Sequence, residues 1–265
     1  MFSNAPIQTA TYRERGFLVV ENLLSPEETE LLRQRTQDIA EGRVPEFPPS
    51  DVELEPSAED MSSLDGQSVP TTCLKRVRKL NRCAENDSVF LSHAKNDRIL
   101  DVVESLIGPD IMLFDSQCFM KPPGGVEKPY HQDSAYFTLE PMELVTCWTA
   151  LDDVTLENGP LWVIPGSHRL GLLDHSQDWF VGNRRDTQVP DKLLERSRET
   201  PITMPAGSCS FHHSLLLHRS PPNHSVRSRR GLAVHYMSAS SRWTHPTQPQ
   251  PAYLSLRGRK YSGCV

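Results

Sequence analysis

The feature that most restricts the fold lies at Gly108-Pro109, where the spacing of apolar residues changes. Upstream, Ile99, Val102, Val103, Leu106 and Ile107 recur at helical spacing, and the Gly-Pro pair stops a helix over 97–107. Downstream, the apolar runs are short and strand-like: Ile111–Met120, Leu144–Leu151, Leu161–Ile164, Ile202–Met204, Ser208–His218 and Gly231–Ser238. Asp152-Asp153, Pro165-Gly166-Ser167-His168 and Pro205-Ala206-Gly207 punctuate them as turns. Short strands with Gly/Pro turns, preceded by helices, predict a mainly β fold: a sandwich or jelly roll with flanking helices packed outside.

The first hundred residues fit that outline. Phe17–Val20 predicts a first strand. Ser25-Pro26-Glu27-Glu28 starts a helix, with Ser25 as cap, Pro26 at the first helical position and Glu28 completing a capping box. That helix is expected to carry Leu31, Leu32 and Ile39 inward. From Glu41 to about residue 70 the composition turns acidic and Pro-rich, with Pro45, Pro48, Pro49, Pro56 and Pro70. This predicts a long mobile loop, either a lid or a plain insertion. Leu74–Asn81 reads as extended. Gly171–Arg198, with Trp179 and Phe180 among polar residues, predicts an irregular lid-like loop, its aromatics touching ligand or stapling the loop down. From Ala239 onward the tail reads as a wrap or a frayed end. At 265 residues the chain is normal for one all-β domain spanning 1–265.

Composition narrows the class of partner. A net charge of −6 disfavours nucleic acid, since phosphate binding needs a basic field. The apolar runs are too short to span a membrane. No basic region followed by an apolar run marks the N-terminus, and Ser262-Gly263-Cys264-Val265 is not a peroxisomal address, so a cytoplasmic protein is expected. Cys73, Cys83, Cys118, Cys147, Cys209 and Cys264 form no C-x-x-C pair and read as reduced thiols. Oligomeric state is not legible.

Chemistry centres on Lys121–Asp133, KPPGGVEKPYHQD. Residues i and i+2 of an extended segment share a face, so His131 and Asp133 can grip one metal ion. Two His and one carboxylate with open positions is the ligand set of non-haem Fe(II) oxygenases. H-x-D alone is common, so the third ligand must be found. His218 ends the apolar run Leu215-Leu216-Leu217 and opens into a polar turn, which suits a pocket-facing side chain. His212 matches its parity but reads as a packed core histidine, and His168 sits in a turn where a structural bond is expected. Arg229, eleven residues after His218, shares strand parity with Ala233 and His235. Arg holds carboxylates bidentately, and a metal-chelating keto acid has a distal carboxylate that needs such a clamp.

Taken together, His131-Gln132-Asp133, Glu157-Asn158-Gly159-Pro160-Leu161 with Pro165-Gly166-Ser167-His168, and Phe211-His212-His213 through His218-x-Ser220-x-x-Asn223 with Arg229 resemble the phytanoyl-CoA dioxygenase family. The resemblance runs from about Tyr12 to about Ser238. It implies a double-stranded β-helix, a cupin-like jelly roll, with Fe(II), 2-oxoglutarate and O2 as cofactor and co-substrates. It implies His131, Asp133 and His218 as iron ligands and Arg229 as the 2-oxoglutarate anchor, helped by Ser220. It also places Lys79, Gln117, Gln132 and Trp148 at the co-substrate. The implied reaction is hydroxylation of a small molecule coupled to decarboxylation of 2-oxoglutarate to succinate and CO2. The carboxylate at 133 favours hydroxylation, or a desaturation or demethylation that starts with the same hydrogen abstraction. Two alternatives stay open: a metal-binding cupin without oxygenase activity, such as an isomerase or sensor, and a structural jelly roll with buried histidines. The substrate is not named by the sequence.

Overall fold

The computed structural model describes residues 5–55, 76–181 and 184–265. Helix α1 (Ala5–Arg15) leads into β1 (Phe17–Val20), and α2 (Pro26–Ala40) follows. The expected capping box is present: Glu28 N donates to Ser25 Oγ at 3.2 Å, and Ser25 N donates to Glu28 Oε2 at 2.7 Å. Leu32 and Ile39 are buried, but Leu31, expected inward, is 58% exposed. One helical position is a rotation of about 100°, so Leu31 and Leu32 cannot both lie at the centre of one buried stripe.

Strands β2 (Val52–Leu54) and β3 (Val77–Asn81) precede three helices, α3 (Cys83–Asn86), α4 (Ser88–Ala94) and α5 (Asp97–Ile107). Then come β4 (Ile111–Phe119), β5 (Lys128–His131), β6 (Leu139–Glu140), β7 (Val145–Ala150) and β8 (Leu161–Val163). After β9 (Gln177–Val181) and β10 (Arg184–Gln188) follow β11 (Thr200–Ile202), β12 (Cys209–His213), β13 (His218–Ser220) and β14 (Gly231–Ser238). Two short strands, β15 (Arg242–Trp243) and β16 (Leu254–Arg257), close the chain.

A major sheet runs β1-β12-β7-β14-β4-β3-β2, with β16 also on β4, and a minor sheet runs β11-β8-β13-β5. Pairing within both is antiparallel. The two form a double-stranded β-helix. Alternation decides what each face of the major sheet meets. Cys118, Cys147, Phe211, Leu232 and Val234 pack in one cluster with Leu32 and Ile39 of α2, Phe90 of α4 and Ile99 and Val103 of α5. Trp148, Ala150 and Ala233 instead pack with Leu161, Val163 and Ile202 of the minor sheet. The flanking helices therefore cover one face, and the other looks across a gap at the minor sheet.

Three sequence expectations change. Ser208–His218 is not one strand. It splits into β12 of the major sheet and β13 of the minor sheet, and the parity drawn between His212 and His218 does not apply. Leu216 and Leu217 are buried at the corner where the chain crosses between sheets, which is why the run is apolar without being extended. Gly171–Arg198 is not wholly irregular, since β9 and β10 pair as a hairpin. The acidic stretch from Glu41 holds β2, paired to β3; the remainder of the loop expected there, residues 56–70, lies outside the described residues. The tail wraps: β16 lies along β4 and β15 pairs β6. Cys83, Cys118, Cys147, Cys209 and Cys264 are free thiols, and Cys73 lies outside the described residues. No helix of the described residues is long and apolar enough to cross a membrane.

Candidate active site

A cavity of about 320 Å³ opens between the two sheets. Strand register explains how residues far apart in sequence meet there. His218 of β13 is the direct cross-strand partner of His131 of β5, and such partners bring their Cβ atoms to about 5 Å. The ring centroids are 4.1 Å apart. Gln132 keeps an extended backbone before Asp133 opens a short 3-10 turn. Asp133 therefore returns to the face of His131. Nε2 of His131 and of His218 lie 3.8 and 3.6 Å from Asp133 Oδ1.

The hydrogen bonds fix what these three groups offer. His131 Nδ1 donates to Pro129 O at 2.9 Å, and His218 Nδ1 donates to Leu216 O at 3.0 Å. With the proton on Nδ1, each Nε2 carries its lone pair inward. Burial pushes the His218 pKa down to about 4. Burial, then neighbouring His218 and Lys128, holds His131 well below its ordinary value. Burial alone would push the Asp133 carboxyl up, but His218, His212 and His235 outweigh it and keep it an anion. Two neutral imidazole nitrogens and a carboxylate oxygen, all acceptors, thus converge within 4.8 Å of one another. That set repels itself unless a cation lies between, and a divalent metal ion fits it.

The back of Asp133 is held from the major sheet. Thr146 Oγ1 donates to Asp133 Oδ2 at 2.9 Å and lies 2.8 Å from His235 Nδ1. The single hydroxyl proton goes to the carboxylate, so His235 Nδ1 must donate to Thr146. Thr146 sits between His212 of β12 and His235 of β14 in register, so the three side chains form one row across three strands. His212 Nε2 lies 3.6 Å from Asp133 Oδ2 and neither ring nitrogen makes a hydrogen bond among the described residues. His168 makes its bond to Arg13 O, as a turn histidine should.

The other end of the cavity is cationic. Arg229 is 2% exposed. Its Nη2 donates to Gly159 O at 2.7 Å and to Ser220 Oγ at 2.9 Å, while Nε has no partner among the described residues. Burial pushes its pKa down to about 10. Its guanidinium lies 5.0 Å from the Trp148 ring centroid. The ring leaves no room for a side chain at 231, where an added Cβ would fall 1.8 Å from Trp148 Cζ2.

Of the residues expected at the site, His131, Asp133, His218, Lys79, Gln117, Trp148, Ser220 and Arg229 all line this cavity. Gln117 Nε2 donates to Asp115 Oδ2 at 2.7 Å, and Lys79 Nζ lies 3.5 Å from Glu53 Oε2 and 5.8 Å from the Phe119 ring centroid. Gln132 is the exception. The alternation that aims 131 and 133 inward aims 132 away, and its amide is used up by Gly171 O, Leu215 O and Leu173 N. Sequence reasoning missed Thr146, Lys121 and the mouth residues Lys128, Tyr136 and Asp186. Thr146 was findable, two positions before Trp148 on one strand. Asp186 was not, because it arrives from a hairpin in a stretch read as irregular.

Comparison with known proteins bears on the family and the fold. A family model described as phytanoyl-CoA dioxygenase (PhyH) matches residues 12–231. The peroxisomal phytanoyl-CoA dioxygenase of Bos taurus is 30% identical over 240 residues, covering 88% of this chain and 68% of that one. The L-proline trans-4-hydroxylase of Streptomyces griseoviridis is 30% identical over 270 residues, covering 94% and 93%. Among solved structures, EctD from S. alaskensis with bound Fe superposes with a TM-score of 0.73 at 23% identity, over 100% of this chain and 89% of that one.

Proposed function

The chain belongs to the phytanoyl-CoA dioxygenase family, and from that premise we propose how its residues divide the work of an iron- and 2-oxoglutarate-dependent oxygenase. His131, Asp133 and His218 hold the Fe(II), with Oδ1 of Asp133 presented by Thr146 and His235. Arg229 takes the distal carboxylate of 2-oxoglutarate, with Ser220 Oγ accepting from its Nη2 and Trp148 beneath the guanidinium. Lys79 and Gln117 line the same cavity on β3 and β4. Iron and 2-oxoglutarate, once bound, would supply the activation of O2 for C–H hydroxylation: O2 is the oxidant, one of its oxygen atoms entering the product alcohol and the other the succinate left when 2-oxoglutarate loses CO2. The protein orients the substrate and keeps water out.

The observation that carries this reading is the pairing of two unlike ends in one cavity: three convergent acceptors at one, and at the other a buried guanidinium whose Nε–H has no partner among the described residues. A metal-binding jelly roll without oxygenase activity would have no use for that cation.

The substrate is a small polar molecule. The cavity is at the lower end of the ~300–1,000 Å³ range of small-molecule sites, and the co-substrate must share it. Its mouth carries Lys79 beside Glu53 and Lys128 beside Asp186, so charged groups meet what enters, while Phe119, Phe137, Trp148 and Leu161 line the wall within. Asp186 also accepts from Tyr136 Oη at 2.7 Å, which ties hairpin β9–β10 to the rim and suits it to act as a lid. We place residues 1–265 in one domain, and the free buried thiols fit a cytoplasmic location.

Anaerobic titration tests the assignment. Fe(II) and 2-oxoglutarate together should give a weak metal-to-ligand absorption band, lost in His131→Ala and Asp133→Ala. Succinate formation should then be screened against amino acids, other small polar metabolites and acyl-CoA thioesters. A response confined to long-chain acyl thioesters would overturn the polar-substrate reading.

A further inference from the structure

Lys121 opens the stretch that ends in His131 and Asp133, yet its side chain runs to the opposite end of the cavity. It is buried, and its Nζ donates to Ser220 O at 3.1 Å, to Ser220 Oγ at 2.8 Å and to Pro221 O. Three acceptors match the three protons of an ammonium. Its backbone is held as tightly. Arg229 N donates to Lys121 O at 3.1 Å and Asn223 Nδ2 donates to the same oxygen at 2.9 Å. Lys121 has a φ of 28°, a left-handed conformation that only Gly adopts freely. Gly159, whose carbonyl receives Arg229, is packed so closely that an added Cβ would meet Pro221 O at 2.5 Å and Lys121 Cδ at 3.0 Å.

These contacts make Lys121 the point around which the carboxylate clamp is assembled. Both cations donate to one oxygen, Ser220 Oγ, whose own proton goes to Gly159 O at 3.0 Å. The hydroxyl is then saturated, and an incoming carboxylate must find its donors on Arg229. Lys121 holds Ser220 and the β13–β14 connection so that Arg229 cannot fold back, and adds a second positive charge behind it. Burial, then Arg229, holds the Lys121 pKa well below the ordinary lysine value, with Glu55 opposing. An anion placed against Arg229 relieves that repulsion.

We propose that Lys121 is a positioning residue for the distal carboxylate of the co-substrate, acting through Ser220 and Arg229. This rests on the assignment of Arg229 as the 2-oxoglutarate clamp. The probes are 2-oxoglutarate, which has a distal carboxylate, and oxalate, which chelates a metal but has none. Binding of each to the full chain loaded with Mn(II) is measured by calorimetry, for wild type and Lys121→Met. The variant should bind 2-oxoglutarate roughly ten- to a hundredfold more weakly, the scale of a lost charge-assisted contact. Its affinities for oxalate and Mn(II) should not change. A purely structural role would weaken both ligands together, and that result, or no change in either, overturns the proposal. Lys121→Gln drops the charge but keeps a donor, and should show the same selectivity if Met is not tolerated. If wild type binds oxalate but not 2-oxoglutarate, the clamp assignment itself fails, and the Lys121 proposal with it.

Discussion

Replacing Arg229 by Met separates binding from stability, because the guanidinium is a burden to the empty protein. A fall in pKa to about 10 from the ordinary 12.5 means that burial disfavours the charged form by about 3 kcal/mol, at ~1.4 kcal/mol per tenfold. That penalty is present at every pH below about 10, where the group is charged in both folded and unfolded chains. Against it stand the two hydrogen bonds to Gly159 O and Ser220 Oγ, together about 3 kcal/mol. Neither acceptor is orphaned by the change, since Gly159 O keeps Ser220 and Ser220 Oγ keeps Lys121. The two quantities nearly cancel. Arg229→Met should therefore melt within roughly 4 °C of wild type. Its response to 2-oxoglutarate should collapse, because removing one partner of a buried charged contact costs about 3–5 kcal/mol, or about two to four orders of magnitude in Kd. Thermal melts with and without 2-oxoglutarate, in the presence of Mn(II), read both numbers. At a ligand concentration of about 100 Kd the wild type should gain ~2.7 kcal/mol and the variant almost nothing. A variant that still responds like wild type, or one that loses more than about 3 kcal/mol before ligand is added, refutes the reasoning.

Thr146→Val should leave Asp133 Oδ2 and His235 Nδ1 without their shared partner and weaken Mn(II) binding roughly 10–100-fold by calorimetry. Gly231→Ala should force Trp148 out of place and lose about 2 kcal/mol or more in urea denaturation, with weaker 2-oxoglutarate binding alongside. His93, buried on α4 against Thr149, has its pKa pushed by burial down to about 4, below the unfolded value of 6.5. The folded state then binds fewer protons between those values, so its stability falls as pH drops through 6.5 toward 4; His93→Gln should remove about 2–3 kcal/mol of the loss between pH 7 and 4.5, read from urea midpoints. Because ligands come from the minor sheet while Asp133 is braced by the major one, Mn(II) should slow amide hydrogen exchange in both β5 and β7. Protection confined to β5 and β13 would count against the brace.

The sequence was most informative where one local rule governs. The Ser25–Glu28 box started α2, the helical period of 97–107 ended at Gly108, and the i, i+2 spacing of His131 and Asp133 survived a change of backbone at Asp133 itself. It was least informative where chain direction changes. Leu215-Leu216-Leu217 looks like strand because buried corners and buried strands draw on the same apolar residues, and nothing local says that the chain is leaving one sheet for the other. Lys121 shows a second limit. A lysine ahead of Pro-Pro-Gly-Gly carries no local sign of burial, and only the packing of Ser220, Pro221 and Arg229 around it reveals a buried ammonium. Residues whose role comes from three or four partners distant in sequence leave no periodicity to read.

The same crossing that hides the corner from the sequence is what builds the site. Because the chain passes from β12 to β13 within a few residues, His212 and His218 arrive on opposing walls of one cavity, with ring centroids 5.0 Å apart. His218 then pairs with His131 by strand register, with no loop to position it. Two residues further along, the chain must return to the major sheet through Ser220–Arg229, and that return is what Lys121 holds. A metal end set by rigid register and a carboxylate end set by a strapped connection differ in how they tolerate change. Substitution near His131 or His218 disturbs a ladder hydrogen bond and the ion together. Substitution along 221–228 can alter the clamp while leaving the ladder intact. Variation in co-substrate affinity should accordingly be reached more readily through the connection than through the strands.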